Sequence, residues 1–211
     1  MGALAKTRND ESWLMEAKQN LTSLKGSADK AFATYELVMF PEGDTGKEVS
    51  LFTQKLQQIF SGELLIYDKA FIGLGSFLGR EEMEETLIRW IQRICNSECR
   101  FVVTVNNFGC LPPDLLYLRI LDQQPFLRLI KKLMVIDNYI FSNGYGEVEW
   151  SSRPVCKLAC QIQPDFDHSK IRSYANLEFH AEFLAYNVVL LKTMPQDRIR
   201  AVVNVFPLYP K

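Results

Sequence analysis

Phe101-Val-Val-Thr-Val105 and Leu115-Leu-Tyr-Leu-Arg-Ile-Leu121 stand on either side of Asn106-Asn-Phe-Gly-Cys-Leu-Pro-Pro-Asp114. Two β-rich runs around a Gly/Pro loop read as an antiparallel hairpin, the loop residues supplying the turn. Hairpins argue against an all-parallel sheet. With helices before and after this one, the chain reads as α+β.

Those helices are legible in the text. Arg80–Ile94 places acids in its first turn and bases towards its end, as the helix macrodipole favours. Pro125–Met134 carries Phe126, Leu129, Ile130 and Leu133 on one face. Earlier, a strand over Thr34–Phe40 meets the turn-prone Pro41–Gly46. Val49, Phe52, Leu56, Ile59 and Phe60 then recur at helical spacing. The apolar run from Leu64 to Phe77 gives one or two strands, in which Gly73 and Gly75 mark a bulge or a close backbone approach.

Residues 142–154, rich in Gly, Ser and Asn, lead into a strand over Val155–Ile162, whose alternation puts Val155, Lys157, Ala159 and Gln161 on one face. Pro164–Glu178 is expected to be a loop with a short helix. Phe183–Leu191 and Ala201–Phe206 read as two closing strands around the turn Met194–Asp197. Residues 1–30 are polar, with a helical stripe through Trp13, Leu14, Ala17, Leu21 and Leu24. They are expected to be an appendage to a domain spanning 31–211.

Composition narrows the classes. A hydrophobic share of 47% over 211 residues is enough for a substantial core. Twenty-four Lys and Arg against 25 Asp and Glu create no global field for RNA or an anionic membrane, so any polyanion would need a local patch. Cys95, Cys99, Cys110, Cys156 and Cys160 are odd in number and lack partners at zinc-site spacing. They read as reduced, mostly buried thiols, with neither metal nor cofactor expected. No stretch has the length of a membrane span, and the N-terminus carries charges where a signal peptide would be apolar. A cytoplasmic location is therefore expected.

The order of elements from Tyr35 to Leu208, over four-fifths of the chain, resembles the two-histidine (2H) phosphoesterase and 2′,5′ RNA ligase superfamily. The residues that carry the likeness are Tyr35-Glu-Leu-Val-Met-Phe-Pro41, the helix ending Gln57-Gln-Ile-Phe60, and the hairpin Val105–Gly109 to Leu116–Ile120. The closing pair Phe183–Leu191 and Val202–Leu208 completes it. The resemblance implies two pseudo-symmetric lobes of antiparallel sheet backed by helices around a central cleft. It also implies one His-x-Thr or His-x-Ser motif from each lobe, acting on a 2′,3′-cyclic phosphate or a 2′,5′ linkage. One imidazole would serve as base and the other as acid, with the hydroxyls holding phosphate oxygens.

Here the two motif positions fall on Phe71-Ile-Gly73 and Val155-Cys-Lys157, without histidine or hydroxyl. Neither Phe71 nor Val155 can shuttle a proton. The remaining histidines, His168 and His180, lie outside any His-x-Thr frame. Lys157 and Arg153 could hold a small anion, or Lys157 could reach solvent from an edge strand. Phe101, Phe108, Tyr117, Tyr139, Phe141 and Tyr145 lack an interleaved basic stripe and read as core rather than a base-stacking surface.

Three functions follow as expectations. The first is a non-catalytic domain whose cleft, with Phe71, Gly73, Arg153, Val155 and Lys157, binds a small phosphorylated or nucleotide-like ligand or is filled with side chains. The second is an RNA 2′,3′-cyclic phosphodiesterase or 2′,5′ ligase with relocated catalytic groups, and the third a protein-interaction module.

Overall fold

A computed structural model describes residues 32–60, 64–111, 115–162, 177–195 and 199–210; at 64–66, 145 and 160–162 it describes the backbone alone. The expected N-terminal helix, His168 and most of the 164–178 loop lie outside these residues.

Among the described residues nine strands form one sheet: β1 (Ala33–Met39), β2 (Leu64–Gly79), β3 (Phe101–Leu111), β4 (Leu115–Ile120), β5 (Tyr145–Trp150), β6 (Cys156–Ile162), β7 (His180–Ala185), β8 (Asn187–Thr193) and β9 (Arg200–Pro207). The helices are α1 (Gly43–Ile59), α2 (Glu84–Asn96), α3 (Gln124–Leu133) and α4 (Asp137–Asn143). In α2 Leu87, Ile91 and Cys95 are buried at intervals of four, Glu84 and Glu85 occupy the first turn, and Arg93 the last. In α3 Pro125 sits in the first turn, where no N–H is needed, and Phe126, Leu129, Ile130 and Leu133 face the core.

The strand order is β7-β3-β4-β6-β2-β1-β8-β9, with β5 beside β2, and the pairings are antiparallel. The β6/β2 seam divides it into β7-β3-β4-β6 and β2-β1-β8-β9. Each half repeats one unit: β1 runs through α1 to its neighbour β2, and β4 runs through α3 and α4 to its neighbour β6. These are the two pseudo-symmetric lobes expected from the sequence.

Covalent connectivity forces the sheet to curl. β7 is the first strand in the order and β8 the seventh, yet Tyr186 alone separates them in the chain. Laid flat, six strand spacings would hold them about 29 Å apart, whereas two Cα steps reach at most about 7 Å. The sheet therefore closes into a half-barrel. Leu208 N–H donates to Tyr186 O at 2.7 Å, Tyr209 N–H to Glu98 O at 2.7 Å and Arg100 N–H to Tyr209 O at 3.0 Å, joining the entry of β3 to the exit of β9.

The helices cover one face of the sheet. Tyr35, Leu37, Ile72, Leu74, Val105, Leu118, Cys156, Leu158 and Leu190 lie there in one core cluster with α1, α2 and α3. No helix among the described residues is long and apolar enough to cross a membrane.

Three sequence expectations change. Phe183–Leu191 is two strands, because β7 alternates buried and exposed residues whereas Val188–Leu191 are buried in succession; the change of pattern marks the break at Tyr186. Residues 145–150, read only as part of a Gly/Ser/Asn-rich lead-in to the next strand, form β5 against β2, with Trp150 against Gly75; a Cβ there would fall 2.5 Å from the indole. That close approach, and a register shift opposite Gly73 and Gly75, are the two roles expected of these glycines. Finally, β6 is central, so Lys157 does not reach solvent from an edge strand.

Candidate functional site

The two motif-equivalent triplets meet at the seam. Phe71 pairs with Lys157 and Ile72 with Cys156, so the strands run past each other with their middle residues opposed. Ile72 and Cys156 point to the helix-covered face. By alternation Phe71, Gly73, Val155 and Lys157 share the other, inner face. Lys157 Nζ lies 5.7 Å from the Phe71 ring centroid, and on its other flank Lys157 pairs with Tyr117 of β4. The alternation expected to carry Ala159 along with Lys157 breaks at a bulge: four residues of β2, Tyr67 to Ala70, stand opposite Leu158 alone, and Ala159 is buried with the core.

Beyond Phe71 the inner face of the β2-β1-β8-β9 half is closed. Phe71 is 1% exposed and packs with Val38, Val189 and Leu191, flanked by Phe40 and Tyr67. Arg200 caps this cluster, its Cζ 4.5 Å from the Phe71 centroid and 4.9 Å from that of Tyr67. Glu36 holds Arg200 through an Oε2–Nε contact of 3.0 Å. A cation over aromatic faces, fixed by a carboxylate, gains electrostatically from the rings while covering apolar surface.

The other half is open. A cleft of about 240 Å³ is lined by Asn106, Tyr117, Arg119, Gln123, Arg153 and Val155, among others. Arg119 and Arg153 are exposed, and neither has an ion-pair partner among the described residues. Asn106 pairs with Arg119 on one side and with His180, the first residue of β7, on the other. His180 thus lies on the inner face in the same transverse row, two strands from Arg119.

Cys156, at the seam, is fully covered, and burial pushes its thiol up to about 12. It cannot serve as a nucleophile near neutral pH. Among the described residues no cluster of His, Cys, Asp or Glu could hold a metal ion.

The structure thus brings Phe71, Gly73, Val155 and Lys157 together and places Arg153 at the rim of the cleft. Sequence reading missed Arg119, Asn106, Arg200 and Glu36, and took Tyr117 as core. One signal was available: in Tyr117-Leu-Arg119 a tyrosine and an arginine alternate with a buried leucine, which puts both on the face opposite the core.

No family model matches the sequence, and no curated protein matches it. Solved structures do match its fold. TT0787 of Thermus thermophilus superposes with a TM-score of 0.66 at 15% identity, over 84% of this chain and 99% of that one. A phosphoesterase gives 0.61 at 14% identity, over 83% and 98%. E. coli LigT complexed with 3′-AMP gives 0.60 at 14% identity, over 85% and 99%, and LigT structures with ATP, NADP+ and phosphate also match. The fold is LigT-like.

Proposed function

On this LigT-like fold, we propose that the chain is a non-catalytic domain that binds a small anionic, phosphorylated ligand on the inner face of its sheet. One observation carries the reading: the two central triplets face each other as an acid–base pair would require, but they present Phe71 and Val155, while the cleft beside them is lined by Arg119 and Arg153, neither with an ion-pair partner among the described residues. Proton transfer needs a titratable group at each position, and each such group typically contributes about a hundred- to ten-thousand-fold in rate. Cations and hydrogen-bond donors still suffice to hold phosphate oxygens. The LigT complexes with 3′-AMP, ATP, NADP+ and phosphate support a ligand of this chemistry.

His180 gives the relocated-enzyme reading its one support, since its strand pairing sets it in the row of Asn106 and Arg119. The test is hydrolysis of nucleoside 2′,3′-cyclic phosphates by the purified chain. The expected rate is that of the buffer. Turnover that vanishes in His180→Ala would replace the binding reading with the enzymatic one.

A further inference from the structure

The open cleft is built to a particular charge and size, and resting on the binding reading above, we infer that it takes the head of a phosphate monoester, held by Arg119 and Arg153 on the β4–β6 wall and not at the Phe71–Lys157 seam. Three observations point there. Among the described residues no carboxylate lines the cleft; the polar side chains there are two guanidinium groups, the amides of Asn106 and Gln123, and the hydroxyl of Tyr117. A donor-rich lining with two unpaired cations matches a dianion with three terminal oxygens better than a diester with one charge and two.

Tyr117 supplies the second observation. It is only 5% exposed and lines the cleft, and its hydroxyl has no hydrogen-bond partner among the described residues. That hydroxyl is not sealed away either: among the described residues the one fully buried side-chain polar atom without a partner is Arg80 Nε. A buried tyrosine usually pairs its hydroxyl, and this one belongs to a residue that lines the cleft. Gly109 of β3 makes room for it, because a Cβ at 109 would lie 2.8 Å from the tyrosine Oη.

The third observation is size. About 240 Å³ lies below the roughly 300–1,000 Å³ of a site that engulfs a whole small molecule. The cleft encloses a head group, and the largely exposed Leu121 gives the organic part an apolar side.

The test is calorimetric titration of the full chain with phenyl phosphate and, in parallel, with methyl phenyl phosphate, which differs by one charge and one terminal oxygen. The monoester should bind at least about tenfold tighter than the diester. Arg119→Gln and Arg153→Gln should each weaken it by about tenfold or more, and Tyr117→Phe by about threefold. Lys157→Gln should leave it within about twofold. Urea midpoints unchanged from the parent would show that the variants fold. Monoester binding that survives both arginine substitutions but disappears in Lys157→Gln would move the anion to the seam, overturning this assignment and sparing the binding function. Equal affinity for the two esters would overturn the monoester class, and binding of neither ester would overturn both readings.

Discussion

The two halves of the sheet are built on one plan and have opposite interiors. Position for position across the seam, Phe71 corresponds to Val155, Gly73 to Lys157 and, from their pairing with those residues, Val38 to Tyr117. One set gives an apolar cluster capped by Arg200; the other gives a cleft with two arginines that have no ion-pair partner among the described residues. Opposed pressures explain why both versions are stable. Filling a pocket with Phe71 gains burial energy and ends its capacity to bind, whereas keeping Arg119 and Arg153 exposed avoids the cost of desolvating a charge. A pseudo-symmetric backbone thus hosts one half that contributes mainly to stability and another left open to solvent.

The sharpest way to break this contrast is truncation on each side. Phe71→Ala should cost about 3–5 kcal/mol in urea unfolding, because the ring is fully enclosed and its removal leaves a cavity. The corresponding Val155→Ala should cost only about 1–2 kcal/mol. Equal losses would mean that the halves are packed alike.

The seam and its surroundings should show themselves in alkali. Burial pushes the thiols of Cys95 and Cys156 from 9.0 up to about 12. Above pH 9 the unfolded chain releases these protons and the folded one keeps them, so stability should fall as pH rises. The expected slope between pH 9 and 10 approaches about 1.4 kcal/mol per pH unit for each thiol. Above pH 10 Tyr35, raised by burial and by its hydrogen bond to Glu84, adds in the same direction. Urea midpoints over this range check it, and the Cys95→Ala/Cys156→Ala pair should flatten the profile between pH 9 and 10.

Arg200→Gln, which removes the cap from the filled half, should cost about 1 kcal/mol, since the guanidinium is partly exposed and its contacts with Phe71, Tyr67 and Glu36 are screened. Smallest is the effect of 0.5 M salt on the urea midpoint of Arg119→Gln relative to the parent. A difference below about 0.5 kcal/mol is expected, because a solvated, unpaired arginine contributes little to folding. A larger one would reveal a structural ion pair where the cleft is open.

Much of this architecture was legible because it rests on local patterns. The hairpin around Asn106–Asp114, the charge-ordered helix after Arg80 and the stripe of Phe126, Leu129, Ile130 and Leu133 each announce themselves within a dozen residues. So does the shared face of Val155 and Lys157, since period-two alternation needs no partner strand, whereas Phe71 and Gly73 stood out only through the family resemblance. The rest depends on pairing. Arg200 reaches Phe71 only because β9, β8 and β1 lie beside β2 in a curled sheet, and Arg119 meets Arg153 only because β4 lies beside β6. β5 escaped notice because Gly146 and the outward-facing Glu147 and Glu149 give it the composition of a turn.

The single-residue passage at Tyr186 has a mechanical consequence. It crosses from the outermost strand of one half to the interior of the other, and beside it Leu208 and Tyr209 bind Tyr186, Glu98 and Arg100. The two halves are therefore fastened at the seam and again at this corner, like jaws pinned at both the hinge and the rim. Swinging one against the other would break backbone hydrogen bonds at the corner. Between these strands, the spacing that sets the aperture over Arg119 and Arg153 is fixed when the chain folds.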